Sequence, residues 1–141
     1  MQPIDSMVKD AIAGYREHFD LVVQDISART QDTVLLVEGT SLLPRQVADI
    51  LTTPNHAIWV IPTAEFQREH YAARAWAREI VEQCDNPEAA FHNWMQRDIR
   101  FAEWIEAEVN TLDLRLLKFD GSQTIAESAA AVADHFQLRA I

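Results

Sequence analysis

The apolar run at residues 34–37 constrains the fold of this chain more than any other stretch. Four consecutive aliphatic residues lead directly into Glu38, and Pro44 closes the segment a few residues later. Such a run is typical of a strand buried on both faces, which requires helices above and below it. An acid at the carboxyl end of a parallel strand also lies where open α/β sheets bind ligands and metals. The stretch therefore predicts a nucleotide-binding α/β fold.

Strands and helices alternate along the rest of the chain. Strands separated by helices imply a parallel sheet with right-handed crossovers. The predicted fold is a single α/β domain over 1–141, with an incomplete doubly wound parallel sheet of about three strands and long helices around it. The predicted strands are 33–38, 57–61 and 115–119, and the predicted helices are 4–29, a short one from Pro44, 64–83, 87–111 and a last one after Thr124.

Several helix starts carry specific capping signals. Thr63 is a suitable N-cap, and Asn86-Pro87-Glu88 combines a cap, a proline at the first helical position and an acid in the first turn. Thr124 and Glu127 have the spacing of a capping box. These signals predict where three of the helices begin.

Composition excludes some classes of partner. The net charge of −10 disfavours nucleic acid, because counterion release requires a basic surface. A small phosphate ligand needs only a few local arginines and stays open. The single cysteine, Cys84, precludes an internal disulfide and suits a reducing cytoplasm. With no apolar run long enough to span a bilayer and no leader pattern, we expect neither membrane insertion nor secretion.

Four segments together resemble the later part of P-loop kinases. They are Leu-Leu-Val-Glu-Gly-Thr-Ser-Leu-Leu-Pro at 35–44, Ile-Trp-Val-Ile-Pro-Thr-Ala-Glu-Phe at 58–66, Asn-Trp-Met-Gln-Arg-Asp-Ile-Arg-Phe at 93–101 and Lys-Phe-Asp-Gly-Ser-Gln at 118–123. The resemblance covers nearly the whole chain. More narrowly, the chain is similar to nucleoside- and nucleotide-kinase-like proteins of the AAA type. It implies ATP-dependent phosphoryl transfer to a small molecule, with ATP and magnesium as cofactors, and a helical lid-like insertion at 64–111.

The same resemblance implies roles for individual residues. Glu38 would end the Walker-B-like strand and hold magnesium directly or through water, as both a catalytic and a metal-binding residue. Arg74 would be a catalytic lid arginine that closes over the transferring phosphates. The other implied nucleotide-binding residues are Arg68 and Arg78 in the lid, Arg97 and Arg100 on the helix that returns from it, and Asp120 and Gly121 in the loop that cradles adenine.

The chain departs from this family in one important respect. None of its glycines is followed by lysine, so the phosphate loop Gly-x-x-x-x-Gly-Lys-Ser/Thr is absent. The resemblance thus implies a truncated or degenerate domain without its first strand, phosphate loop and first helix, which we expect to be inactive alone. One explanation would be that Met1 is internal to a longer parent. The missing strand would lie between 33–38 and 57–61, and either these strands pair directly or another chain fills the gap. The alternative to a kinase-like domain is a non-catalytic interaction or regulatory protein that forms homo-oligomers.

Ordinary interpretations stay open beside these roles. Arginines on long helices commonly pair with nearby acids such as Glu103, and Asp120-Gly121 is also a common turn sequence. Glu38 could simply cap the turn that follows it. The four tryptophans, at 59, 76, 94 and 104, lie mostly on apolar stripes and are expected in the core.

Overall fold

The computed structural model describes residues 2–29 and 34–138. Its helices are α1 (Ile4–Ser27), α2 (Pro44–Ala48), α3 (Ala64–Ala72), α4 (Ala75–Val81), α5 (Pro87–Thr111) and α6 (Ile125–His135), and its strands are β1 (Trp59–Pro62) and β2 (Leu116–Phe119). A single 3₁₀ turn, Pro54–His56, precedes β1. The predicted long helices at 4–29 and 87–111 are confirmed as α1 and α5, although α1 ends earlier, at Ser27. Both have apolar residues that recur at helical spacing.

Helix α5 is the element on which the rest of the fold packs. Its N-cap is Asn86, as predicted, whose side-chain oxygen accepts a hydrogen bond from the Ala89 amide at 3.0 Å. Phe101 on α5 and Tyr15 on α1 make an edge-to-face contact, with ring centroids 5.7 Å apart. The buried core joins α1, the segment before α2, β1 and α5, and consists of Val8, Ile12, Leu43, Trp59, Ile61, Ile105 and Val109.

Strands β1 and β2 are parallel neighbours, and their register pairs Trp59 with Leu116 and Pro62 with Phe119. Trp59 and Ile61 are buried on the side of α5, whereas the intervening Val60 is half-exposed. Only these two strands occur in the described ranges, 2–29 and 34–138.

The prediction of a three-stranded, doubly wound sheet is therefore wrong. The structure is mostly helical, and residues 34–38 of the predicted strand 33–38 have no regular secondary structure; residue 33 lies outside the described residues. A strand is stabilised by hydrogen bonds to a neighbouring strand, and no described strand lies beside this run. The apolar composition of the run therefore predicted a strand, but the fold provides no described neighbour with which it could pair.

The predicted helix at 64–83 is interrupted. It divides into α3 and α4 because Arg74 adopts an extended conformation, with φ −84° and ψ 123°. The Arg78 guanidinium donates to the Ala72 carbonyl from Nε and Nη2 at 3.1 and 2.9 Å. These bonds satisfy a carbonyl at the end of α3, which a helix terminus otherwise leaves unpaired.

The predicted caps of α3 and α6 are confirmed. The Thr63 hydroxyl accepts from the Phe66 amide. At α6, the Thr124 amide and hydroxyl both donate to Glu127, and the Glu127 amide donates back to Thr124. The Thr124 amide, followed by its hydroxyl, lowers the pKa of Glu127 because both donors stabilise the ionised carboxylate.

Candidate functional site

The carboxyl ends of β1 and β2 lie side by side and border a cavity of about 240 Å³. This is the end of a parallel sheet at which α/β proteins place ligands. The ionisable groups that line the cavity are Glu103, Glu106 and Lys118. The Lys118 ammonium lies 2.6 Å from Glu106, and Glu103 pairs with Arg100 at 3.0 Å. With two carboxylates and one ammonium in its lining, the cavity does not favour an anionic phosphate.

The loop after β2 is a closed turn. The Ser122 hydroxyl and amide donate to the Asp120 carboxylate at 2.6 and 2.9 Å, and the pKa of Asp120 is lowered, first by the hydroxyl and then by the amide. Gly121 has φ +86°, and a Cβ there would lie 3.1 Å from the Phe66 ring. Both conformation and space therefore favour glycine at this position. Asp120 and Gly121, predicted to hold adenine, thus build the turn itself.

Three of the predicted phosphate-binding arginines are engaged by close neighbours. Arg78 bonds the Ala72 carbonyl, Arg97 pairs with Asp98 at 2.6 Å, and Arg100 pairs with Glu103. Arg68 is exposed on α3. These contacts agree with the ordinary interpretation of helix-surface arginines and do not bring the guanidinium groups to one point.

Glu38 is exposed in the irregular segment 34–39. In the described part of the chain, no three His, Cys, Asp or Glu residues are grouped closely enough to hold a metal ion. A magnesium–nucleotide complex needs converging oxygen ligands for the metal together with cations or amides for the phosphates. The predicted residues do not fit that requirement as they are placed here, so we derive no catalytic step through ATP or magnesium.

Arg74, predicted to be catalytic, belongs to an aromatic cluster that the sequence did not reveal. We define the aromatic box as Tyr71 of α3, Trp76 of α4 and Trp94 of α5. The Arg74 guanidinium carbon lies 4.9 Å from the centroid of Tyr71 and 5.8 Å from that of Trp76. In a continuous helix, residues five apart point in different directions, so the break between α3 and α4 is what brings these two rings together.

A second unusual surface is the exposed run Val34–Val37, here named the apolar strip. Its side chains are 97, 43, 79 and 39 % exposed in chain order. The exposed fractions alternate along the run, and all four residues are exposed. Beyond the strip, the carbonyl of Leu42 accepts a hydrogen bond from the indole of Trp59 on β1 at 2.9 Å.

No family model, curated protein or solved structure significantly matches this chain. Among the described residues, no helix combines the length and apolar character needed to cross a membrane. The resemblance to P-loop kinases therefore stays a prediction, as does the interpretation of 64–111, which forms α3, α4 and α5, as a lid. The chain's own surfaces must supply the argument for function.

Proposed function

We propose that this protein is a non-catalytic interaction protein that forms homo-oligomers through its apolar strip. The observation that carries the proposal is the exposure of four consecutive aliphatic residues, Val34–Val37, in a chain whose sheet has only two strands in the described ranges. Contiguous apolar surface on a folded protein commonly marks an interaction site. The proposed occupant is the β1 edge of a second copy, defined as the side of β1 that does not face β2.

The backbone of β1 supports this pairing. The amides of Trp59 and Thr63 donate to β2-side carbonyls, at 2.9 Å to Arg115 and 2.7 Å to Phe119. In a strand, alternate residues direct their hydrogen-bonding groups to opposite sides, so the amide and carbonyl of Val60 face the β1 edge. An extended segment that adds to such an edge gains main-chain hydrogen bonds. Pro62 cannot donate, which limits the length of the added ladder.

The composition of the strip also suits this role. Val34–Val37 consists of valine and leucine, and valine is among the residues that fit a pleated strand best. If each copy gives its strip to the other, a symmetric dimer closes and both β1 edges are covered. Each copy carries a net charge of −10, so the two repel each other at long range. Added salt should therefore strengthen the association, because it screens this repulsion.

The kinase interpretation receives less support from the geometry. Its arginines bond local partners, and the cavity at the sheet end is acidic. Binding of a small phosphate compound stays a prediction from the resemblance. As part of the proposal we assign the protein to the cytoplasm, where the exposed thiol of Cys84 would stay reduced.

Sedimentation velocity over a range of protein concentrations tests the proposal, with Leu36→Lys as the disrupting variant. Leu36 is 79 % exposed, so lysine is accommodated in the monomer. Burying a leucine contributes about 1.5–3 kcal/mol, and a symmetric dimer loses it twice, so the dissociation constant should rise by more than about 100-fold.

Ile125→Lys is the matched control, because Ile125 is 90 % exposed on α6, outside the strip. It should associate like the unmodified protein. A chain that stays monomeric at all concentrations would reject the proposal. Equal weakening by the two lysine substitutions would show that added charge, rather than the strip, controls association.

A further inference from the structure

The three rings of the aromatic box pack against one another at steep angles. Ring centroids are 5.6 Å apart for Tyr71 and Trp76, 5.6 Å for Tyr71 and Trp94, and 5.8 Å for Trp76 and Trp94. The corresponding planes are inclined at 71°, 87° and 52°. Rings at these separations contact one another directly, so no ligand fits among the three of them. The faces that are open to a cation are those of Tyr71 and Trp76, over which Arg74 lies. Trp76 is 44 % exposed, so the box is open to solvent.

A cation of this chain already contacts the box. The Arg74 guanidinium lies over the faces of Tyr71 and Trp76, at distances at which cation–π attraction is effective. Arg74 is exposed at the N-cap of α4, and its side chain forms no capping hydrogen bond there. The contact shows that the rings accept positive charge, and the long side chain can leave without unfolding a helix.

We propose that the faces of Tyr71 and Trp76 bind an external quaternary ammonium group in exchange for Arg74. A planar guanidinium stacks well on one ring face, whereas a rounded ammonium can contact both of these inclined faces at once. The net charge of −10 favours the approach of a cation over that of an anion. The site lies where α3, α4 and α5 meet, outside the apolar strip, and does not depend on the proposed oligomer.

Titration with tetramethylammonium, followed through the indole N–H resonances of Trp76 and Trp94, tests this site. Neopentyl alcohol, which has a similar shape and no charge, is the control ligand. We expect saturable shifts with the cation and much weaker ones with the alcohol. Arg74→Ala removes the internal competitor and should tighten binding by about two- to fivefold, the range expected for an exposed cation–π contact.

Substitutions of the box itself complete the test. Trp76→Ala should abolish saturable binding. Trp76→Phe, which keeps a ring with a weaker π face, should weaken binding, and it serves as the test variant if Trp76→Ala does not fold. Trp104→Phe is the matched control, since Trp104 stacks on Phe101 elsewhere on α5, with centroids 6.1 Å apart, and it should bind like the unmodified protein.

The source of the ammonium group is distinguished by comparing choline with a peptide that contains trimethyl-lysine. If the trimethyl-lysine peptide binds more tightly than both its unmethylated form and choline, the site recognises a modified protein. Preference for choline assigns it to a small metabolite. No saturable shift at millimolar tetramethylammonium with Arg74→Ala, equal binding of neopentyl alcohol, or unchanged affinity in Arg74→Ala would each overturn the proposal.

Discussion

Trp59→Phe should destabilise the protein because the Trp59 indole connects two parts of the structure. Its ring is buried in the core, and its N–H donates to the Leu42 carbonyl at 2.9 Å. This bond holds the segment that follows the apolar strip against β1. Phenylalanine keeps an aromatic ring in the core but removes the donor and leaves the carbonyl without that partner.

The magnitude follows from two contributions. Loss of a hydrogen bond with a partly buried carbonyl costs about 1–2 kcal/mol. The smaller ring leaves a space beside Leu43, which is 1 % exposed, and a partial loss of core volume adds about 1 kcal/mol. The free energy of unfolding should therefore fall by about 2–3 kcal/mol, which is a large part of the stability of a typical domain.

Urea denaturation measures this loss, with Leu36→Lys as the common background so that subunit dissociation does not contribute. Trp104→Phe makes the same chemical change at a partly buried position beside the same core and should cost clearly less. Similar losses for the two tryptophan variants would refute the role assigned to the indole hydrogen bond.

Three further perturbations test local features of the fold. Arg78→Ala should lower the free energy of unfolding by about 1 kcal/mol in urea denaturation, because both bonds to the Ala72 carbonyl are lost. Acidification should destabilise the start of α6 in an NMR titration: the lowered pKa of Glu127 contributes stability above its unfolded-state pKa, and this contribution is lost as pH falls through the folded-state value. Ser128→Ala should raise the melting temperature, since the buried Ser128 hydroxyl has no hydrogen-bond partner among the described residues.

Each of these predictions has a clear opposite. Arg78→Lys keeps one charged donor and should fall between the unmodified protein and Arg78→Ala; a loss equal to that of alanine would count against the carbonyl contact. In Glu127→Gln, the acid-dependent change in the NMR signals at the start of α6 should disappear. If the change persists, another group causes it. A lower melting temperature for Ser128→Ala would show that the hydroxyl has a stabilising partner.

Helices with local signals could be predicted from the sequence. Helix α5 begins after Asn86 and ends at Thr111, as predicted, because the cap, the proline and the apolar stripe all lie within the helix itself. The capping box of Thr124 and Glu127 was predictable for the same reason. Strands β1 and β2 differ from the predicted ranges by one or two residues at their ends.

Features that depend on distant partners could not be predicted in this way. The run Val34–Val37 has the composition of a strand, but a strand also requires a neighbour, and composition does not specify one. The break between α3 and α4 contains neither proline nor glycine, so the sequence does not indicate it. Tyr71 and Arg78 make contacts across this break that are visible only in the three-dimensional structure. The aromatic box was missed for the same reason, since its rings come from three helices.

Hydrogen exchange at the amides of the apolar strip tests the central claim most directly. If the strip of one copy pairs with the β1 edge of another, the amides of alternate strip residues, either Val34 and Leu36 or Leu35 and Val37, and the amide of Val60 should exchange slowly at high protein concentration. They should exchange rapidly on dilution and in Leu36→Lys, while the amides of α5 stay protected throughout. Rapid exchange of the strip and of Val60 at every concentration would contradict the proposed association.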